Sequence, residues 1–452
     1  RNGGGHASHT DMERFDILII GSGPAGYEIA AELAAKGQNV ALVERDRTGG
    51  TCLNRGCIPT KCLCATAQSV IAARNAAVFG VATGSVSVDY SKAFMRMRDV
   101  VGELRSGVEQ MLAKVNVVRG CASITPDGGI DVAGKLYSAE KVLIATGSAP
   151  SRLSIPGAEL ALTSDDILEG NMPLPERLVI IGGGVIGIEF ASIYNALGCD
   201  VTVIEYCKEI LPQFDSDIAK RLRLALQARG INFATGSAVR SISPDMEVHY
   251  TNRRGDDYVK ADMVLMATGR RPVLPAGCVE AGIEVDDRGF ISVDERMRTT
   301  RDGFYAAGDV TGICMLAHAA TAQARIALTD ADVDLDIIPS AVFSAPEVAM
   351  AGLTAADCER YGVQCRTARC NYASNGKAQA MGATSGCVKL VYNPETRLIL
   401  GAHVLGEHAS DLVAEVAALM YGMTTIDELA EGLVHSHPTL SELLQTAAKN
   451  AE

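Results

Sequence analysis

Phe15-Asp-Ile-Leu-Ile-Ile20 runs straight into Gly21-Ser-Gly23-Pro-Ala-Gly26, an alanine-rich stretch continues to about Lys36, and Asn39-Val-Ala-Leu-Val43 then ends on Glu44. An apolar run, a glycine triplet, a helical stretch and a second apolar run predict a βαβ unit. Each glycine has its own role there. Gly21 permits the tight turn, Gly23 lets the backbone approach a pyrophosphate, and Gly26 lets helix pack on strand. The helix N-terminus offers unpaired N–H groups and a partial positive charge to phosphates. Glu44, eighteen residues past Gly26, is placed to accept from a ribose hydroxyl. A glycine triplet alone is a weak signal, because any tight strand-to-helix turn resembles it. Strand, helix, strand and acid in order make it a strong one.

The pattern recurs. Leu178-Val-Ile-Ile181 leads into Gly182-Gly-Gly184-Val-Ile-Gly187, a helix is expected to about Leu197, and Asp200-Val-Thr-Val-Ile204 ends on Glu205, again eighteen residues past the third glycine. Two dinucleotide sites in one chain suggest one cofactor held tightly and one that exchanges. A carboxylate at Glu205 bonds a free 2′-hydroxyl but repels a 2′-phosphate, which favours NAD over NADP. Tyr206 and Cys207 follow and supply no arginine to reverse that preference.

Bulk properties fit this reading. A chain of 452 residues is too long for one hydrophobic core, so several domains are expected. With 48% hydrophobic and 21% charged residues it has the composition of a folded globular chain. The net charge of −13 leaves no basic surplus for phosphate backbones, so no nucleic-acid partner is expected. Nor is a membrane partner, since no apolar run reads as long enough to span a bilayer. Arg1 to Asp11 (RNGGGHASHTD) reads as a cloning remnant, with Met12 the expected natural start. Thirteen cysteines, odd in number and without regular spacing, do not read as a secreted disulfide scaffold, and a cytoplasmic setting is expected.

Farther along, Val264 to Gly269 and Phe304 to Asp309 read as apolar strands, and Ile337 to Ser344 as a boundary. Beyond it Cys387 to Tyr392 and Leu398 to Val404 alternate like antiparallel strands, and Asp411 to Met420 like an amphipathic helix. The expected fold is therefore α/β: two doubly wound Rossmann-like nucleotide-binding domains and a C-terminal α+β domain. The expected bounds are 12–150 completed by 276–340, then 151–275, then 341–452, with 1–11 set aside.

Two constellations carry chemistry. Cys52 and Cys57, in Thr51-Cys52-Leu-Asn-Arg-Gly-Cys57-Ile-Pro-Thr-Lys61, follow directly from the first nucleotide unit. Four intervening residues at a helix start can bring two sulfurs within bridging distance, and a helix N-terminus favours the thiolate needed for exchange. Two buried, unreactive cysteines are the bland alternative. A metal site would want a second pair at ligand spacing, and the sequence places none. Near the other end stands Val434-His435-Ser-His437-Pro-Thr-Leu-Ser-Glu442. His437 with an acid five residues on could move a thiol proton, Glu442 orienting the imidazole and stabilising its charged form. Pro438 would fix the direction of His437. A structural histidine, or a metal held by His-x-His, remains open on residues alone.

The run Gly49 to Lys61 resembles the class I pyridine nucleotide–disulfide oxidoreductases. So do Ala145-Thr-Gly147, the second glycine triplet, Ala267-Thr-Gly-Arg270, Ala307-Gly-Asp309, Met315-Leu-Ala317-His318 and His437-Pro-Thr-Leu-Ser-Glu442, in the same order from about Phe15 to Ala448. The resemblance implies a homodimeric enzyme with FAD in the first domain and NAD in the second. It implies that Gly21, Gly23, Gly26, Glu44, Lys61, Ala122, Thr146, Gly147, Asp309 and Ala317 serve FAD, with Lys61 near the flavin ring. Gly182, Gly184, Gly187, Glu189, Glu205, Val239 and Gly269 would serve NAD, Glu189 partnering Lys61 and Val239 acting through its backbone. Cys52 and Cys57 would be the redox disulfide. His437 and Glu442 would act on the disulfide of the other subunit.

The substrate so implied is the dihydrolipoyl group of a lipoyl-bearing protein in a 2-oxoacid dehydrogenase or glycine-cleavage complex. Members that reduce glutathione disulfide normally carry arginines near Glu205, and those that reduce mercuric ion a C-terminal cysteine pair; this chain has neither. A FAD- and NAD-binding subunit without turnover would not need Cys52, Cys57, His437 and Glu442 together. Two departures stand out. Cys62 and Cys64 occupy positions usually small or aliphatic, where packing is expected. The stretch after His318 lacks the usual Glu-Gly, which leaves the start of its helix open.

Overall fold

The computed structural model describes residues 12–170 and 172–452, so the expected remnant, residues 1–11, lies outside them. The chain forms two compact units. The first gathers the described residues of Arg1–Pro59 with Met95–Pro150 and Arg270–Val333, and the second gathers Thr60–Phe94, Ser151–Gly269 and Asp334–Glu452.

In the first unit the strands lie in the order Asn116–Arg119, Val40–Glu44, Glu13–Ile20, Lys135–Ile144, Ile130–Val132, Ala122–Ile124. Phe304–Ala306 also pairs with Lys135–Ile144, in parallel. The two strands flanking Glu13–Ile20 pair with it in parallel, Ile17 opposite Val40 and Lys141. All five residues of Val40–Glu44 are buried, as expected of a parallel strand covered on both faces. Helix Pro24–Ala35 connects the first two strands, with Pro24 at its start where a missing N–H costs nothing.

Among the described residues, the second unit holds three sheets. Asn232–Thr235, Asp200–Glu205, Arg177–Ile181 and Met263–Met266 form a parallel sheet, with helix Val185–Ala196 between its first two strands in sequence. Ala238–Ile242, Glu247–Asn252 and Gly255–Lys260 form an antiparallel meander. The third sheet is antiparallel, in the order Ser340–Val342, Val348–Gly352, Ile399–Leu405, Cys387–Tyr392, Arg366–Asn371. Helices Ala409–Tyr421 and Glu442–Lys449 share its core, through Val413, Val416, Leu443 and Leu444. The fold is thus the expected one, two doubly wound nucleotide-binding folds and an α+β region.

The strand expected over Val264 to Gly269 stops at Met266 and that over Phe304 to Asp309 at Ala306. In both cases the chain turns on a glycine of positive φ, Gly269 at +100° and Gly308 at +81°. One described stretch, Gly50–Phe79, is long and apolar enough to cross a bilayer by length and composition. That differs from the expectation that no apolar run reaches such a length. The stretch is broken at Gly56, and although Leu63, Cys64, Ala67 and Val70 along it are buried, only 28% of its apolar window is.

Candidate active site

The first glycine turn is dictated by contact. Gly21 has φ +105°, and a Cβ there would stand 2.3 Å from the Ala145 carbonyl oxygen; a Cβ on Gly26 would stand 1.9 Å from that of Gly21. No other side chain fits either position. A Cβ on Gly23, by contrast, would meet nothing closer than Gly50 Cα at 4.0 Å, which leaves the backbone bare at the helix N-terminus. Glu44 is buried at the strand end. Its Oε2 accepts from the Ser22 N–H at 2.8 Å and the Ser22 hydroxyl at 2.6 Å, and its Oε1 from the Asp46 N–H at 2.7 Å. A carboxylate has about four lone-pair sites, so one remains for a ribose hydroxyl.

Thr146, Gly147, Ala122, Ala317 and Asp309, expected in the same set, lie in the same unit as that turn. Thr146 lies beside Gly21 and its hydroxyl donates to Val273 O at 2.5 Å. Gly147 O accepts from Val273 N. Ala122 starts the edge strand that follows Gly120, whose N–H reaches Glu44 O at 3.0 Å. Ala317 opens helix Ala317–Leu328, and Thr321 one turn on donates to Pro24 O at 3.4 Å. The helix start left open by the sequence is thus at Ala317, with Leu316 as N-cap. The Asp309 carboxylate accepts a very short bond from the Ser148 hydroxyl, and Arg270 also donates to Ser148.

The second turn repeats the first. A Cβ on Gly182 would meet Ala267 O at 2.3 Å, one on Gly187 would meet Gly182 O at 2.0 Å, and one on Gly184 would meet nothing within 4 Å. Glu205 is buried and accepts from the N–H of Gly183 at 2.5 Å and of Cys207 at 2.6 Å. The Cys207 thiol is pushed up, first by burial and then by the neighbouring Glu205 carboxylate. Val239 lies on the strand that follows Ser237, whose N–H reaches Glu205 O at 2.9 Å. Gly269 O accepts from Ser151 N at 2.9 Å. Both turns fit a dinucleotide: a bare backbone at a helix N-terminus for the pyrophosphate and an oriented carboxylate for the ribose.

Cys52 and Cys57 are disulfide-bonded, with Cα atoms 4.7 Å apart. Cys52 belongs to helix Gly50–Arg55 and Cys57 opens helix Cys57–Asn75; Gly56 between them leaves the helical range at φ −139°, ψ −112°. A Cβ on Gly56 would crowd Thr51 O at 2.9 Å and Cys52 Cα at 3.1 Å. That break brings the two sulfurs together. The helix carrying Cys52 begins where Gly50 touches the phosphate turn, a Cβ on Gly50 standing 2.5 Å from Gly23 Cα.

In the second unit Lys61 Nζ reaches both oxygens of the buried Glu189 carboxylate at 2.9 Å. His437 Nδ1 lies 2.9 Å from Glu442 Oε1, and the Thr439 N–H donates to Glu442 Oε2 at 2.8 Å. Glu442 is held below the usual carboxylate range, first by the Thr439 N–H and then by His437. An ionised carboxylate only accepts, so Nδ1 carries the hydrogen, and in the neutral ring Nε2 is the nitrogen with the lone pair. The His437 side chain is 80% exposed, so that lone pair is accessible. His435 turns elsewhere, its Nε2 to Glu415 Oε1 at 2.8 Å, so the two histidines serve separate acids.

Cys62 and Cys64 are buried, as expected of packing residues. Burial, aided by nearby Glu189, pushes the Cys64 thiol up to about 12. Four contributors escaped the sequence reading: Ser22, Ser148, Arg270 and Phe343. Ser22 and Ser148 lie within or beside quoted motifs, and a polar residue inside a phosphate turn was the available signal. Phe343 donates its N–H to Glu189 Oε1 at 2.9 Å across 154 residues of chain, and no local pattern marks it.

Comparison with known proteins adds independent support. Residues 15–324 match the family model described as pyridine nucleotide-disulphide oxidoreductase, and residues 338–448 match that family's dimerisation domain. The dihydrolipoyl dehydrogenase of Chlamydia pneumoniae is 37% identical over 444 residues, covering 95% of each chain. That of Thermus scotoductus is 36% identical over 452 residues, covering 97% of each. Among solved structures, the HOCl-induced flavoprotein disulfide reductase RclA from Escherichia coli superimposes with a TM-score of 0.85 at 29% identity, covering 97% of this chain and all of that one.

Proposed function

The chain belongs to the pyridine nucleotide-disulphide oxidoreductase family, and from that premise we propose that it is a dihydrolipoyl dehydrogenase oxidising protein-bound dihydrolipoamide with NAD. Its cofactors are FAD and NAD(H), for which the two glycine turns provide cradles. When bound, the flavin would take the electron pair from the reduced cysteine pair and exchange it with the nicotinamide as a hydride. We assign FAD to residues 12–150 with 276–340, NAD to 151–275, and contact with a second copy to 341–452.

The observation that carries the reading is the Cys52–Cys57 disulfide built directly onto the first dinucleotide turn through Gly50. In the proposed reaction His437 Nε2 takes a proton from the dithiol, and Glu442 steadies the imidazolium that results. The substrate thiolate attacks Cys52 Sγ, and Cys57 leaves as a thiolate. A second exchange releases the oxidised cyclic disulfide and leaves Cys52 and Cys57 reduced. Lys61 follows Cys57 by four residues in one helix, the spacing that puts two side chains on one helix face. Glu189 binds its ammonium through both oxygens and sets where that charge stands.

The dimerisation-domain match supports a homodimer in which His437 of one protomer serves the disulfide of the other. The eleven remaining cysteines are free thiols, which supports a reducing, cytoplasmic setting. The lipoyl-bearing partner would come from a 2-oxoacid dehydrogenase or glycine-cleavage complex. A second reading, reduction of some other disulfide, draws on the structural likeness to RclA.

The division of roles is tested with Cys52→Ser and Cys57→Ser. Both are expected to keep FAD and to lose dithiol turnover. Loss of FAD with the fold otherwise intact, or retained turnover, would overturn it.

A further inference from the structure

Phe343 and Cys64 converge on the Lys61–Glu189 pair from two directions. The peptide of Phe343 is engaged at both ends: its N–H donates to Glu189 Oε1 at 2.9 Å, and its carbonyl accepts from the Cys64 Sγ at 3.4 Å. Its ring lies under the Lys61 ammonium, with Nζ 4.3 Å from the ring centroid. Lys61 Nζ in turn reaches both oxygens of Glu189 at 2.9 Å. The four residues therefore close a loop: Lys61 to Glu189, Glu189 to the Phe343 peptide, that peptide to Cys64, and Cys64 back to Lys61 along one turn of helix Cys57–Asn75.

The loop has physical consequences. Glu189 is buried, so its carboxylate needs donors, and the Phe343 N–H is the one that a change of Lys61 conformation leaves in place. About a third of the Lys61 side chain, 34%, stays open, and a carboxylate alone would let its ammonium swing about the ion-pair axis. An aromatic face at 4.3 Å restricts that swing, because the negative ring face attracts the cation. Cys64 is the free thiol in this loop. Its sulfur stays protonated through the working pH range, with burial the main cause, so it acts as a fixed weak donor and not as a nucleophile.

We propose that Phe343 is a positioning residue for Lys61, and that Cys64 fixes the Phe343 peptide by donating to its carbonyl. The inference rests on the reading that Lys61 acts beside the flavin, and it concerns how that lysine is held. It also gives Cys64 a role that packing alone would not require.

The test uses the FAD-loaded protein with Phe343→Leu, Cys64→Ala and Cys64→Ser. The first readout is acetylation of Lys61 by an amine-reactive reagent, followed by mass spectrometry. Phe343→Leu is expected to speed modification by roughly tenfold, the weight of a partly buried cation–π contact. Cys64→Ala should speed it by about threefold, the weight of one modest hydrogen bond, while Cys64→Ser, which restores a donor, returns it to the parent rate. The second readout is single-turnover reduction of the flavin by NADH, which should slow in the same order with the Kd for NADH unchanged. Parent rates of both in Phe343→Leu and Cys64→Ala would overturn the proposal, and so would equal effects of Ala and Ser at position 64. Neither readout uses a dithiol, so a failure of the dihydrolipoyl reading would show instead as absent lipoamide turnover in the unmodified protein.

Discussion

The two glycine turns are nearly superposable in their demands and differ in what closes over them. In both, the first glycine is forced by a carbonyl 2.3 Å from its absent Cβ, and the third by one at 1.9 or 2.0 Å. Both place a buried glutamate at the end of the second strand to accept from a turn N–H. The side chain that the turn offers to that glutamate differs. Glu44 receives the buried Ser22 hydroxyl at 2.6 Å, whereas Gly183, at the matching place in the second turn, has no side chain to donate, and the Cys207 thiol near Glu205 is exposed. The second difference is the wall. Gly50 stands against Gly23, while a Cβ on Gly184 would meet nothing within 4 Å. Both turns are braced by the segment after their second strand, Gly49 N–H reaching Ser22 O at 3.0 Å and Leu211 N–H reaching Gly183 O at 2.9 Å, so the difference lies at the middle glycine alone, where Gly50 stands against Gly23. Such a contrast suits a resident cofactor at the first and an exchanging one at the second, which is what a flavin-to-nicotinamide relay requires.

The largest effect should come from the third glycines. Gly26→Ala and Gly187→Ala each drive a methyl into a carbonyl oxygen, a misfit of ~3 kcal/mol or more. Gly26→Ala is expected to purify colourless. Gly187→Ala should stay yellow, bind FAD stoichiometrically, and no longer be reduced by NADH. Colourless protein from both would show that the two turns cannot be separated, and the contrast between them would fail.

An intermediate effect is expected from the carboxylates. Glu205→Gln weakens a charge-assisted bond to the ribose, for which a loss in NADH affinity of roughly tenfold to hundredfold is expected. Removing the charge should also narrow the preference for NADH over NADPH. Glu44→Gln should retain FAD after gel filtration, because Ser22 and the Gly50 wall remain. Equilibrium titration with each nucleotide, together with FAD content, reads both outcomes.

The smallest effect separates Ser22 from Cys207. Ser22→Ala removes a buried hydrogen bond and should lower stability by about 1 kcal/mol, whereas Cys207→Ala should be within about 0.5 kcal/mol of the parent. Thermal unfolding compares the two. Equal shifts would mean that Ser22 braces its turn no more than Cys207 does.

Much of this was legible in the sequence, because it depends on local pattern. Apolar runs such as Phe15 to Ile20 and Asn39 to Val43 are continuous because both faces of their strands are covered, and the glycine spacings are set by steric contacts inside one turn. Expected strands over Cys387 to Tyr392 and Leu398 to Val404 correspond to Cys387–Tyr392 and Ile399–Leu405, although nearly every residue of both is buried, so the alternation does not divide a core face from a solvent face. The break at Gly56 was not foreseen, since a glycine between two helical segments has no unique reading until Thr51 O and Cys52 Cα are seen to crowd it. Phe343 was invisible for a different reason. Its bond to Glu189 spans 154 residues and runs through a backbone N–H, which any residue but proline could supply. The ring that covers Lys61 is brought to it only by the fold, from far along the chain.

The central claim is dihydrolipoyl chemistry with NAD, and the most direct measurement is NADH oxidation at matched concentrations of lipoamide, glutathione disulfide and no acceptor, each repeated with NADPH. Rapid turnover confined to lipoamide with NADH is expected. Turnover confined to glutathione disulfide, or to NADPH, would contradict the substrate assignment while leaving the family and the Cys52–Cys57 disulfide in place.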